Sequence, residues 1–116
     1  MQVQDSKQNI PEDILESLRT YGGIGGLRGL LQDEGALAEK AALYSAVSDP
    51  IRLKILTLLS VRPLCVCVVR EVLGIADSRL SYHLSILKNV EFIRGEKQGN
   101  RIIYHITEKG RHWLAA

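Results

Sequence analysis

Apolar side chains recur at three- and four-residue steps along most of this chain, the period of helices that bury one face and leave the other to solvent. In NIPEDILESLRTY the stripe is Ile10, Ile14 and Leu18, with Asn9 as cap, Pro11 in the first turn, and Glu12 and Asp13 near the positive end of the helix dipole. Residues 1–9 ahead of it are polar and predict no ordered structure. Over residues 32–47 the Ala and Leu spacing of ALAEKAALYSAV suits an amphipathic helix whose small-residue face packs closely on a partner. SDPIRLKILTLLS carries the clearest helix start: Ser48 or Asp49 caps, Pro50 follows in the first turn, and Ile51, Ile55, Leu58 and Leu59 point to a buried core helix. After a break at Val61, Arg62 and Pro63, PLCVCVVREVLG reads as a further helix closed by Gly74. Ala76, Asp77 and Ser78 then open RLSYHLSILKNV, in which Leu80, Leu84 and Leu87 face inward.

Beyond residue 90 the period changes. EFIRGEK and RIIYHIT are β-rich arms around the turn formers Gln98, Gly99 and Asn100, a hairpin pattern, and TEKGRHWLAA closes the chain as a short helix or extension with Trp113 and Leu114 available for burial. Two short helices joined by a tight turn containing Gly are a helix-turn-helix signature. The order predicts a mainly α protein with a small β-hairpin, a winged helix-turn-helix over residues 36–116, preceded by an extension over 1–35 made of a short helix and a Gly-rich hinge. That hinge, GGIGGLRG, superficially suggests a phosphate cradle. No strand precedes it and no Gly-Lys-Ser/Thr follows, so flexibility is the better reading.

A length of 116 residues allows one domain with a real core and no second. Charge is unevenly spread: residues 1–40 hold four Lys/Arg against seven Asp/Glu, and 41–116 hold eleven against six, so the body is basic and suits a polyanionic partner. The N-terminus lacks a secretory layout and no apolar run is long enough to span a bilayer, which predicts a soluble cytoplasmic protein with no membrane partner. There, thiols stay reduced, and the two cysteines, Cys65 and Cys67, point to metal, redox or packing roles rather than a structural disulfide.

The second helix of such a motif enters the major groove. Opposite its apolar stripe stand Ser78, Arg79, Ser81 and Tyr82, with Ser85 a turn further on: Arg can grip guanine with two bonds, and Ser and Tyr can reach base or phosphate. At the hairpin tip Lys97, Gln98, Asn100 and Arg101 surround Gly99, where positive charge can meet the sugar-phosphate backbone. A solvated helix face and a polar turn are the plain alternatives. His83 points partly inward and reads as a hydrogen-bonded structural residue, with a phosphate contact as its other role.

SDPIRLKILTLL, then LCVC opening the next helix, then SRLSYHLSILK, then a wing with KQGNRIIYHI resemble, in that order, the ArsR/SmtB family of arsenic- and metal-responsive repressors, over roughly residues 37–112. The resemblance implies a homodimer that binds a palindromic double-stranded operator when ligand-free and releases it on binding a metal or metalloid. It implies no required cofactor and an inducer such as As(III) or another soft metal ion. It also implies dimerisation through the N- and C-terminal helices, which gives Ile14, Leu18, Leu37 and Trp113 a role at that interface.

In arsenic-sensing members the LCVC stretch supplies thiolates, which suit a soft trivalent centre. Residues two apart on a helix point about 200° apart, so Cys65 and Cys67 sharing one ion would require the first turn to unwind, and that unwinding would tilt the helix beyond Gly74. The fullest family pattern has a third cysteine where this chain has Arg70, leaving two thiolates plus water, an exogenous thiol or a distant donor; Arg70 can also lower a thiol pKa. Three readings of the pair stay open: soft-metal sensing, thiol-redox sensing and inert packing. The family's other metal site, on the C-terminal helix, would have only Glu108 and His112, short of four ligands. A winged helix used purely for protein interaction is a rival; an enzyme finds no constellation of nucleophile, base and oxyanion donors here.

Overall fold

The computed structural model describes residues 9–31 and 33–116, and the chain divides into two compact units, 1–37 and 38–116. The polar leader lies, but for Asn9, outside the described residues. In the first unit, helix α1 (Glu12–Ser17) has Pro11 rather than Asn9 in the cap position, with Glu12 and Asp13 in its first turn. A 3-10 turn (Arg19–Tyr21) and a second helix, α2 (Gly23–Arg28), follow. The expected Gly-rich hinge is therefore helical. Gly22, at φ 85°, makes the reversal between the two turns, and Gly26 lies so close to the Tyr21 carbonyl that a Cβ there would collide with it.

Helix α3 (Glu34–Ala46) comes next in the chain, capped by Asp33, whose Oδ1 accepts from the Ala36 N–H at 2.7 Å. In the second unit it is followed by α4 (Pro50–Val61), the two-residue strand β1 (Leu64–Cys65), α5 (Val66–Leu73), α6 (Asp77–Asn89), β2 (Ile93–Gln98), β3 (Arg101–Ile106) and α7 (Glu108–Ala115). Asp49 is the α4 cap, accepting from the Ile51 and Arg52 N–H groups, and Pro50 sits behind it as the sequence predicts. Gly74 ends α5 at φ 63°. Among the described residues no helix is long and apolar enough to cross a membrane.

The core gathers Ile55, Leu56 and Leu59 of α4, Val69 of α5, Leu80, Leu84 and Leu87 of α6, and Phe92, Ile93 and Tyr104 around the sheet. Burying each such aliphatic side chain is worth about 1.5–3 kcal/mol, which is what fixes α6 on α4. The antiparallel sheet has order β1-β3-β2. Leu64 pairs with Tyr104 and Cys65 with Ile103, so the segment before α5 is stitched to the wing. The β2–β3 loop is only Gly99 and Asn100, with Gln98 opposite Arg101 and Gly99 at φ 63°, the positive φ that a two-residue hairpin with Gly first requires. Thr107 locks the end of the sheet to α7: its hydroxyl donates to the Glu91 carbonyl at 2.7 Å and accepts from the Gly110 N–H at 3.0 Å.

Candidate nucleic-acid interface and thiol pair

Helix α6 divides cleanly into two faces. Leu80, His83, Leu84 and Leu87 are buried, whereas Ser78, Arg79, Ser81, Tyr82 and Ser85 are exposed and share the outer face. Tyr82 is 60% exposed, which leaves its hydroxyl free to reach a partner. The wing tip holds Lys97, Gln98, Asn100 and Arg101, all exposed. Among the described residues no ion pair engages Arg79, Lys97 or Arg101. The nearby acid Glu96 is occupied elsewhere: it accepts from Gln98 Nε2 at 2.8 Å and lies 3.6 Å from Arg94 and 3.5 Å from His105. Its carboxyl is held below the usual range by the Gln98 bond, which outweighs the opposing effect of desolvation, with His105 and Arg94 adding to the lowering.

His83 takes the inward, hydrogen-bonded place that the sequence reading favoured, and not the phosphate contact that was its other role. At 5% exposure its ring is withdrawn from the outer face of α6 and cannot be a phosphate contact. Its Nδ1 lies 3.0 Å from Arg52 Nη1 and 4.0 Å from Asp49 Oδ1. Arg52, which the sequence reading did not single out, is itself buried at 7% exposure. A signal for both existed: Arg52 falls in step with Ile55, Leu56 and Leu59, and His83 with Leu80, Leu84 and Leu87, so each inward stripe carries one polar member.

The cysteines also sit differently from the expectation. Cys65 is not in the helix; it belongs to β1 and occupies the cap position of α5 with an extended backbone, φ −59° and ψ 141°. Cys67 lies in the first turn. The Cα atoms are 5.2 Å apart, the two sulfurs are joined, and Cys65 Sγ accepts from the Cys67 N–H at 3.2 Å. The two sulfurs thus meet with α5 intact, and the unwinding expected from a 200° separation is unnecessary, because the helical period does not apply to a residue ahead of the helix. Neither cysteine belongs to the buried core of the chain: Cys67 is exposed and Cys65 half-buried.

Arg70 Nη1 bonds Asp77 Oδ1 at 3.1 Å, tying α5 to the first turn of α6. A cleft of about 520 Å³ opens beside Cys65, lined by Arg62, Leu64, Val68, Gln98, Ile103 and His105 among others. Only after reduction of the bond between them would the two sulfurs offer thiolates to a soft, thiophilic centre. Among the described residues no group of three or more His, Cys, Asp or Glu converges for a metal, so neither a third protein donor at Cys65 and Cys67 nor a complete zinc set around Glu108 and His112 is present there. At the far end, Trp113 is half-buried, stacked on Phe92 with centroids 5.9 Å apart and set edge-on to Tyr44 at 4.8 Å.

A helix-turn-helix with an exposed second helix, followed by a hairpin with cations at its tip, makes this a winged helix-turn-helix protein. Residues 49–94 match the family described as bacterial regulatory protein, arsR family. The chain is 35% identical over 76 residues to the HTH-type transcriptional regulator NmtR of Mycobacterium tuberculosis, spanning 66% of this chain and 63% of that protein. It is 34% identical over 71 residues to the arsenical resistance operon repressor of Staphylococcus xylosus, spanning 61% of this chain and 68% of that one. A homodimeric winged helix-turn-helix DNA-binding domain from Mycobacterium bovis, solved by NMR, shares the fold with a TM-score of 0.65 at 24% identity, covering 74% of this chain and 83% of that one. The chain belongs to the ArsR family of bacterial regulatory proteins. By name these relatives are regulators and repressors, not enzymes; the chain spans less than two thirds of NmtR's length.

Proposed function

We propose that the chain is a homodimeric transcriptional repressor that holds double-stranded operator DNA and lets it go when Cys65 and Cys67 take up arsenite or another soft metal ion. The observation that carries this reading is the placing of Cys65 and Cys67 at the start of an intact α5, Cα atoms 5.2 Å apart and not buried, so that the reduced pair can close on one ion without disturbing the helix. Ser78, Arg79, Ser81 and Tyr82 read the major groove, and Lys97, Asn100 and Arg101 hold the backbone from the wing. Ile14, Leu18, Leu37 and Trp113 contribute to the pairing of two copies, for which the homodimeric M. bovis relative is a precedent. The names of the arsenical-resistance and cadmium-resistance relatives support a thiophilic inducer.

Two links in the fold would carry the signal to the DNA-facing elements. Cys65 is paired to Ile103 of the wing, and Arg70 is bonded to Asp77 at the start of α6. A shift of Cys65 and the first turn of α5 therefore reaches both DNA-facing elements at once. The thiolates supply two donors; water or an exogenous thiol completes the centre.

The joined sulfurs favour a second reading, in which oxidation of the same pair is the signal. One experiment separates the readings. The reduced protein selects a duplex from a random-sequence library, and the labelled complex is titrated with arsenite, then separately with peroxide, alongside Cys65→Ser/Cys67→Ser. Release of wild type alone by stoichiometric arsenite supports metal sensing. Release by peroxide but not arsenite moves the assignment to redox. A library that enriches no sequence refutes DNA recognition and leaves a protein-interaction module.

A further inference from the structure

We propose that Arg52 is the positioning residue of the recognition helix: its guanidinium fixes α6, through His83, against the C-terminal end of α3, and the link holds only while the imidazole is neutral. This inference rests on the DNA-binding role of α6 proposed above. One buried side chain joins three helices here. Arg52 Nε donates to the Ala46 carbonyl at 3.0 Å, one of the acceptors that the end of α3 leaves without a helical partner, and Nη2 donates to the Ser45 carbonyl at 3.0 Å, which also accepts from the Ser48 N–H and hydroxyl. Nη1 turns the other way and lies 3.0 Å from His83 Nδ1 in the middle of α6.

The chemistry of that contact assigns the tautomer. A guanidinium has donors only, so the ring atom facing it must accept: Nδ1 is bare and the proton is on Nε2. A proton on Nδ1 would set an N–H against an N–H, and protonating both ring nitrogens would in addition place two cations in contact in a buried site. The charged and polar groups around the ring are Asp49 and Arg52 from α4, and Arg79 and the edge of the Tyr82 ring from α6 itself, while α3 contributes only carbonyls already held by Arg52. Burial is the largest influence and disfavours the charged ring; Arg52 and Arg79 act the same way, and the Asp49 carboxylate opposes them without prevailing. His83 lies directly beside Tyr82 and one turn from Arg79, so a change of tilt about the buried stripe moves both outward-facing side chains relative to the groove.

A lysine cannot replace this fork, because one ammonium is a point charge and cannot span two carbonyls and a ring nitrogen in fixed directions. An asparagine at 83 can replace the neutral ring, because its amide oxygen falls near the Nδ1 position and accepts at every pH.

The test uses the full reduced chain and the duplex it selects from a random-sequence library, with a scrambled duplex as control, at constant salt. As pH falls from about 7.5 through and below the ordinary histidine value, to about 4.5, wild type is expected to lose roughly tenfold or more of its preference for the selected duplex, the loss that follows from breaking one buried charge-assisted hydrogen bond. His83→Asn is expected to keep its preference across the same range. Arg52→Lys is expected to lose a similar, roughly tenfold, factor already at about pH 7.5 on the selected duplex while binding the scrambled one as wild type does, since charge is conserved. NMR on wild type supplies a readout that needs no variant to fold: an Nε2–H tautomer at His83, and backbone resonances of Ser45, Ala46 and Arg79 that move with the same midpoint as the ring. An Nδ1–H tautomer, a ring that titrates with no shift in α3 or α6, or a His83→Asn profile identical to wild type would overturn the proposal. If the library enriches no sequence, it is the DNA-binding reading that fails, and the tautomer and coupled shifts still decide the junction.

Discussion

Replacing Arg79 and Arg101 one at a time separates sequence reading from backbone holding. Arg79 is the third residue of α6, exposed, and unpaired by any acid among the described residues; Arg101 stands at the wing tip across from Gln98, equally unpaired, with Glu96 held by Gln98. A two-bond contact to guanine discriminates by about 1–3 kcal/mol, so Arg79→Ala in a dimer with two half-sites loses at least about 2 kcal/mol, roughly thirtyfold, on a selected duplex. On a scrambled duplex it loses only a charge. Arg101→Ala removes one phosphate contact per protomer, and at about 0.9 per contact the slope of log affinity against log salt flattens by roughly 1.8. Over a salt range of about 50 to 200 mM, that is roughly a twelvefold smaller change in affinity for any sequence. Fluorescence anisotropy at several salt concentrations on both duplexes measures all four quantities. Equal losses on both duplexes for both variants would refute the division of labour between helix and wing.

Three further outcomes concern the scaffold. Gly110→Ala drives a Cβ into the Phe92 carbonyl and the Ile106 side chain, and urea unfolding should show a loss of about 1–3 kcal/mol as α7 is pushed off the sheet. Glu91 is the one non-glycine residue at positive φ (62°) among those described, so Glu91→Gly should raise stability by about 0.5–1 kcal/mol, read as a higher urea midpoint with unchanged slope. The His83 imidazole is held below its ordinary 6.5 chiefly by burial, so its contribution to stability is complete above about that pH and is lost as pH falls toward the folded-state value. Urea midpoints should decline through that window in wild type and stay flatter in His83→Asn. The Asp49 carboxyl, raised by burial but lowered overall by the Arg52 and Ile51 N–H groups with help from Arg52 and His83, loses its contribution only below the ordinary carboxylate range, so the two effects separate in pH.

Helix starts and stops were legible wherever the chain carries its own stop chemistry. Asp49 with Pro50 and the left-handed Gly74 fix their ends locally, and the structure places them as the local signals require. The Gly-rich stretch was misread as a hinge because glycine content measures freedom in the unfolded chain, whereas Gly26 is there for a close approach to a backbone oxygen that no periodicity reveals. Strand β1 escaped for a different reason: two residues have no period, and Leu64 and Cys65 are strand only because Tyr104 and Ile103, about forty positions on, supply the partners. That tertiary pairing also moved Cys65 off the helix and removed the apparent conflict between the two thiols.

The polar members of the inward stripes carry the most information that periodicity alone passed over. A stripe is normally read by its apolar majority, and Arg52 and His83 look like noise among Ile55, Leu56, Leu59, Leu80, Leu84 and Leu87. A buried arginine, however, cannot stand without acceptors, and a buried histidine must choose which nitrogen accepts. One such residue on each of two helices that pack together through their leucines is already an argument that they meet. The structure adds what the stripes could not: the guanidinium has positions left over, and they reach the last carbonyls of α3. The cost of burying that charge makes sense only if the orientation of α6 relative to α3 matters more than the stability an apolar replacement would bring. In the repressor proposed above, where α6 enters a groove at a set angle and the N-terminal helices pair two copies, that is the orientation on which half-site spacing would depend.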